Sequence, residues 1–167
     1  MYNELTEVDI RKMQEEIDYK MRYVRPKCIE DLQTARAFGD LSENFEYKAA
    51  KQELRRCDSR LRYLRKMIET AKVIKPDTAA DRVGLFDTVD VYFEDDDETE
   101  RLRIMTTLRE DALNGIISKE SPLGKAIMGH KVGDRVLVRV NDTVSYYVVI
   151  KSLEKGFDDD SLEIRSY

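Results

Sequence analysis

Two carboxylates three residues apart, Asp40 and Glu43, lie within TARAFGDLSENFEYKAAKQEL at residues 34–54, in a glycine-containing break between two helix-like stretches. Carboxylate oxygens are hard ligands, and Mg²⁺ is often held by only one or two of them together with waters and phosphate oxygens. A pair this close around one turn cannot enclose the ion. It can complete a site whose remaining ligands belong to another molecule, and two-metal phosphodiester chemistry uses such a second ion to activate water and stabilise the departing oxygen. The same spacing also has a structural reading. Asp-x-x-Glu ahead of a helical run has the form of a capping box, with Asp40 capping an orphan N–H and Glu43 reaching back. Both charges would then sit at the positive end of the second helix. Spacing alone leaves both readings open.

Long helices must position this turn. Tyr47, Ala50, Leu54, Cys57, Leu61, Leu64, Ile68 and Ala71 step by three and four, a heptad seam sustained over more than three repeats. Ile10, Met13, Ile17, Met21, Val24, Cys28, Leu32 and Ala35 form a looser seam before the break. The short connection makes an antiparallel hairpin the economical arrangement. Arms of roughly 30 residues would reach about 45 Å at 1.5 Å per residue. Pro26 removes a backbone donor, so a kink or restart is expected near residues 24–27. Tyr47, on the seam beneath the turn, is expected to set the carboxylates' geometry together with Asn44.

After Ile74 the pattern changes. KPDTAADRVG reads as a linker. DTVDVYF, RLRIMTTL, RVLVRV and SYYVVIKSL read as four strands rich in Val, Ile and Tyr. In SPLGKAIMGH, Ser121 suits an N-cap, Pro122 the first helical position, and Leu123, Ala126 and Ile127 share one face before Gly129 ends the helix. The expected fold class is α+β: a coiled-coil hairpin over 1–75, a linker over 76–84, and an antiparallel sheet with one short helix over 85–155. EDDDETE is read as a solvated acidic loop, and 156–167 as a solvated acidic tail without fixed structure.

Charge divides along the same line. Residues 1–75 carry 17 Lys+Arg against 14 Asp+Glu, a net of +3; residues 76–167 carry 12 against 20, a net of −8, together the −5 of the whole chain. From Lys48 to Lys66 there are eight basic residues against Glu53 and Asp58, an excess of six. A charge run of this kind is usually a solvated coiled-coil face. Its self-repulsion nonetheless makes a phosphate backbone a natural partner. Cys28 and Cys57 lack C-x-x-C spacing and His130 has no ligand neighbour, which excludes a structural zinc site or a disulfide scaffold. With no basic-then-apolar leader and no long apolar run, a cytoplasmic, reduced protein with no membrane partner is expected.

The stretch GDLSENFEYKAAK at 39–51 resembles the tip signature of the bacterial transcript cleavage factors of the GreA/GreB family. The resemblance continues through Arg25–Pro26, SPLGKAIMG at 121–129 and VGD at 132–134, and covers residues from about 6 to about 153 in the family's order. It implies an FKBP-like second domain and a hairpin that enters the secondary channel of bacterial RNA polymerase. There Asp40 and Glu43 would hold Mg²⁺ jointly with the polymerase, weakly or not at all by themselves, while the polymerase cleaves a backtracked transcript. Arg36, Lys51 and Arg55, nearest the tip, would contact the 3′ end of the nascent RNA, and Ser121 and Pro122 would meet the polymerase rim. An accessory factor with no active site of its own, acting as a monomer, is implied. Phe45 departs from the small residue usual at its position, and Asp9 and Ile10 stand where a Gly is common. The alternative within the family is a channel-binding regulator that inhibits without promoting cleavage. An FKBP-like fold also raises prolyl isomerisation, but few aromatics are available to line a proline pocket.

Overall fold

The computed structural model describes residues 3–39, 44–76 and 79–165, which divide into two units: Asp9–Lys72, and the residues up to Val8 together with those from Val73 onward. The first arm of the hairpin unit is α1 (Glu7–Tyr19), a π-helical turn (Lys20–Val24) and α2 (Arg25–Arg36), and the second is α3 (Phe45–Glu69). The expected interruption at Pro26 falls one turn earlier than the proline itself. Pro26 has no N–H and its ring crowds the carbonyl four residues back, so the preceding turn widens and the Arg25 N–H donates to the Lys20 carbonyl, five residues back. The helix is otherwise continuous, with proline in the first turn of α2.

The wider turn shifts the phase of the apolar stripe. Met13 and Ile17 are buried before it, whereas Met21 is 43% exposed and Val24, Cys28 and Leu32 are only half-buried. On α3, Cys57, Leu61, Leu64 and Met67 are buried, while Tyr47, Ala50, Leu54 and Ile68 are half-buried. Met67 thus takes the place expected for Ile68. The seam is tight at the end remote from the turn and loose towards it, where Ala35 is the buried residue. Ion pairs tie the arms. Arg60 donates from Nε and Nη2 to the two oxygens of Glu16 at 2.8 and 2.9 Å, and Arg25 Nε donates to Asp58 at 2.8 Å.

In the second unit a five-stranded sheet runs in the order β5-β4-β3-β7-β6. Two short strands elsewhere, β1 (Glu4–Leu5) and β2 (Lys72–Val73), make a separate ribbon. The sheet strands are β3 (Thr88–Phe93), β4 (Glu98–Met105), β5 (Ile116–Ser118), β6 (Arg135–Arg139) and β7 (Ser145–Glu154). Alternation places Val89 and Val91 of β3, Val136 and Val138 of β6, and Val148 and Ile150 of β7 on one face, where they form the core with Leu102, Ile104 and Ile127. The fold class is α+β as expected, with a coiled-coil hairpin and a small sheet domain. The sheet, however, is mixed: β5 pairs parallel with β4. This fifth strand, only three residues long and preceded by two 3₁₀ turns, is too short for a period-2 pattern to register.

Three boundaries differ from expectation. In the expected linker, Val83 is buried and donates its N–H to the His130 carbonyl at 2.9 Å, while the Gly84 N–H reaches Asp87 at 2.7 Å. The expected acidic loop is a tight turn, because Glu98 and Thr99 already pair with Phe93 and Tyr92 in the β3–β4 ladder. The expected free tail is anchored. Arg109, whose side chain is fully buried, donates to both Asp158 oxygens at 2.7 and 2.6 Å, and Thr6 Oγ1 donates to Asp158 at 3.3 Å. The Gly156 N–H donates to Asp87 at 3.0 Å, and the Arg165 N–H to the Leu108 carbonyl at 2.6 Å. Burying a guanidinium requires a paired carboxylate, and the tail supplies it. Burial pushes the Asp158 carboxyl up, but its bonds from Arg109, Asp160 and Thr6 outweigh that and hold it below the usual range.

Helix α4 (Pro122–Ile127) closes the sheet. Ser121 caps it, accepting from the Gly124 N–H at 3.0 Å, and Ile127 is fully buried. Gly124 is required by close approach: a Cβ there would lie 2.1 Å from the Ser118 carbonyl oxygen. His130 is half-buried and its Nδ1 meets Asp134 at 3.1 Å, within the VGD turn.

Candidate functional site at the hairpin turn

α2 ends at Arg36, with Ala37 closing on the carbonyls of Gln33 and Thr34 at 3.2 Å, and Gly39 takes a left-handed φ of 106°. Asp40 and Glu43 lie outside the described residues. The chain resumes at Asn44, which is the N-cap of α3: its Oδ1 accepts from the Tyr47 N–H at 2.9 Å. Its Nδ2 donates to the Ala35 carbonyl at 2.7 Å, so one side chain fastens the end of α2 to the start of α3. Such a cap contributes about 1 kcal/mol, apart from the second bond.

The capping-box reading of Asp40 and Glu43 falls outside the described residues. The N-cap is Asn44, the N3 position is Tyr47, and Asp40 precedes the cap by four residues. An asparagine at N-cap satisfies the orphan donor without a charge.

Around the cap the side chains are aromatic and basic. Arg36 and Lys51 lie 5.9 and 5.8 Å from the centroid of the Tyr47 ring, from α2 and from the next turn of α3. Lys48 lies 5.5 Å from the Phe45 ring centroid. Tyr47 is half-buried; Arg36, Lys48, Lys51 and Arg55 are exposed. Three of the eight residues in the basic run have other contacts: Arg60 is bound to Glu16, Arg56 donates to Glu53 at 2.7 Å, and Arg65 meets the Met21 sulfur at 3.5 Å. The structure therefore brings Arg36 and Lys51 together through Tyr47, and leaves Arg55 exposed one turn further along α3.

In the second unit, the Ser121 hydroxyl is committed to the fold, donating to the Ser118 carbonyl at 2.7 Å while it caps α4. Pro122 beside it is exposed. Among the described residues no group of three or more His, Cys, Asp or Glu could hold a metal ion. Among them, too, no helix is long and apolar enough to cross a membrane. Cys28 and Cys57 are free, and burial pushes both thiols up.

Residues 3–73 match the family model of the transcription elongation factor N-terminal domain, GreA_GreB_N, and residues 77–155 match that of the GreA/GreB C-terminal domain. The chain belongs to the GreA/GreB family. It is 42% identical over 137 residues to the transcription elongation factor GreA of Thermoanaerobacter pseudethanolicus, covering 81% of this chain and 87% of that one. It is 35% identical over 147 residues to the GreA of Syntrophotalea carbinolica, covering 87% and 93%. Among solved structures, Thermus aquaticus Gfh1 aligns over 91% of this chain and 97% of its own, at 21% identity and a TM-score of 0.41. Membership makes the chain a transcription elongation factor acting on RNA polymerase, and directs attention to the hairpin turn.

Proposed function

We propose that the hairpin enters the secondary channel of RNA polymerase turn first and stimulates the polymerase's own cleavage of backtracked transcripts, with no active site in the factor itself. The observation that supports this most is the capping of α3 by Asn44. Asn44 fills the cap position without a charge, and Asp40 and Glu43, which precede it in the sequence, offer oxygen donors that suit a metal half-site.

Two hard oxygen donors fit Mg²⁺ as a half-site that another molecule would complete. When bound there, Mg²⁺ would supply Lewis-acid stabilisation of the phosphodiester under attack. Asp40 and Glu43 would hold it, and Asn44 fixes the start of the helix that follows them. Arg36, Lys51 and Arg55 would neutralise phosphates of the extruded RNA 3′ end. Pro122, rather than the committed Ser121 hydroxyl, would offer its surface to the polymerase rim. A monomer working in the cytoplasm suits a partner of this kind.

The test is RNA cleavage in a stalled, backtracked elongation complex, comparing wild type with Asp40→Asn and Glu43→Gln. Wild type should stimulate cleavage; each isosteric variant should bind the polymerase but lose stimulation by about 100-fold or more, the scale of one preorganised electrostatic contact. Normal cleavage by both variants removes the carboxylates from the chemistry. A wild type that only inhibits makes the protein a channel-occupying regulator.

A further inference from the structure

We propose that Phe45 is a stacking platform for an unpaired nucleobase of single-stranded RNA, flanked by Lys48 and the neighbouring cations. The natural ligand, the 3′ segment of a transcript, rests on the function proposed above; the platform itself can be tested without polymerase.

Phe45 is the first residue of α3 and is 79% exposed; Phe38, on the other flank of the turn, is 69% exposed. A ring at that position gains little from the core, and leaving it in water forgoes the burial an aromatic would otherwise contribute. Asn44, not Phe45, caps the helix, so the local fold does not call for an aromatic there. Beside the ring is a cation. Lys48 lies 5.5 Å from its centroid; Arg36 and Lys51, which lie 5.9 and 5.8 Å from the Tyr47 ring, and Arg55 are exposed on the two helices that flank the turn. A protein pocket built to receive phenylalanine would be apolar and would gain nothing from a lysine against the ring or from the exposed cations of the two helices. Single-stranded RNA offers both parts at once, a flat π-face on every base and a phosphate on every nucleotide. A duplex hides its base faces in its own stack. Because every base has a π-face, the platform would tolerate any sequence.

The chain contains no tryptophan, so Phe45→Trp introduces a single indole in the full-length protein, excited selectively beyond the absorption of the tyrosines. Its emission is followed during titration with a single-stranded RNA of about eight nucleotides, and with the same strand made of abasic riboses, at roughly 50 mM salt. The intact strand should quench the indole; the abasic strand should bind about tenfold more weakly and leave emission unchanged. By anisotropy of labelled RNA, Phe45→Leu should lower affinity for the intact strand about tenfold, with the same salt dependence, and Phe45→Tyr should restore it. Circular dichroism of Phe45→Leu checks that the helices persist. Equal quenching by the two strands, unchanged affinity of Phe45→Leu, or no binding of either strand overturns the proposal. If wild type fails to stimulate cleavage while quenching persists, the function proposed above falls and the platform stands. Cleavage with no effect at Phe45 removes the platform alone.

Discussion

Among the anchors of the C-terminal segment, one carboxylate neutralises a buried cation. Asp158 faces the buried Arg109 guanidinium with two short bonds, and Arg109 also lies 5.6 Å from the Phe86 ring centroid. Removing the charge leaves a buried cation without its main counter-ion, so Asp158→Asn should cost roughly 3 kcal/mol. The sign of the pH dependence follows from the lowered carboxyl. Its contribution is present above the unfolded value near 4 and is lost as pH falls through the lower folded value. Urea denaturation should therefore show a wild-type advantage over Asp158→Asn that is constant from neutral pH to about 5 and shrinks below about 4. An advantage that grows on acidification would contradict the geometry. The Asn44 cap was within reach of the sequence, since asparagine is among the best N-caps. Asp40 competed for that reading because its spacing to Glu43 mimics a box, and only the position of the first helical residue decided between them.

The elements differ in how firmly they are held. On α3 the residues from Cys57 to Met67 supply the buried side of the seam, whereas Tyr47, Ala50 and Leu54 are half-buried. Local opening follows buried apolar contact. Amide exchange should thus be faster over residues 46–54 than over 57–67 by at least tenfold, with the Asn44 cap slowing but not removing the difference. Uniform protection along α3 would mean that the hairpin opens as one block. Helix periodicity, the place of α4 and its cap, and four of the five sheet strands were legible, because each has its signal within a few residues. β5 and the π-helical turn were not. A three-residue strand is defined by its neighbour β4, and the widening before Pro26 depends on how the chain absorbs a lost donor.

Across the whole molecule, the charge division assigns different surfaces to different partners. The hairpin half carries the positive excess, and the second half the −8. With Arg36, Lys48, Lys51 and Arg55 as phosphate contacts, the logarithm of RNA affinity should fall with that of salt at a slope of about −3, from 0.7 per contact on a single strand. Arg55→Gln should lessen that slope by about 0.7 and weaken cleavage of longer backtracked RNAs. An unchanged slope would take Arg55 out of the interface.

The sequence by itself determined the heptad hairpin, the sheet domain with its capped short helix, and the family, through residues whose meaning lies in their immediate spacing. Tertiary structure decided what spacing does not carry. It made Asn44 the cap by joining it to Ala35, and turned the supposed linker into core at Val83. It also tied Asp158 to Thr6, 152 positions away. Local propensities act over one or two turns of chain, whereas a buried charge takes its partner from whichever segment the fold brings beside it.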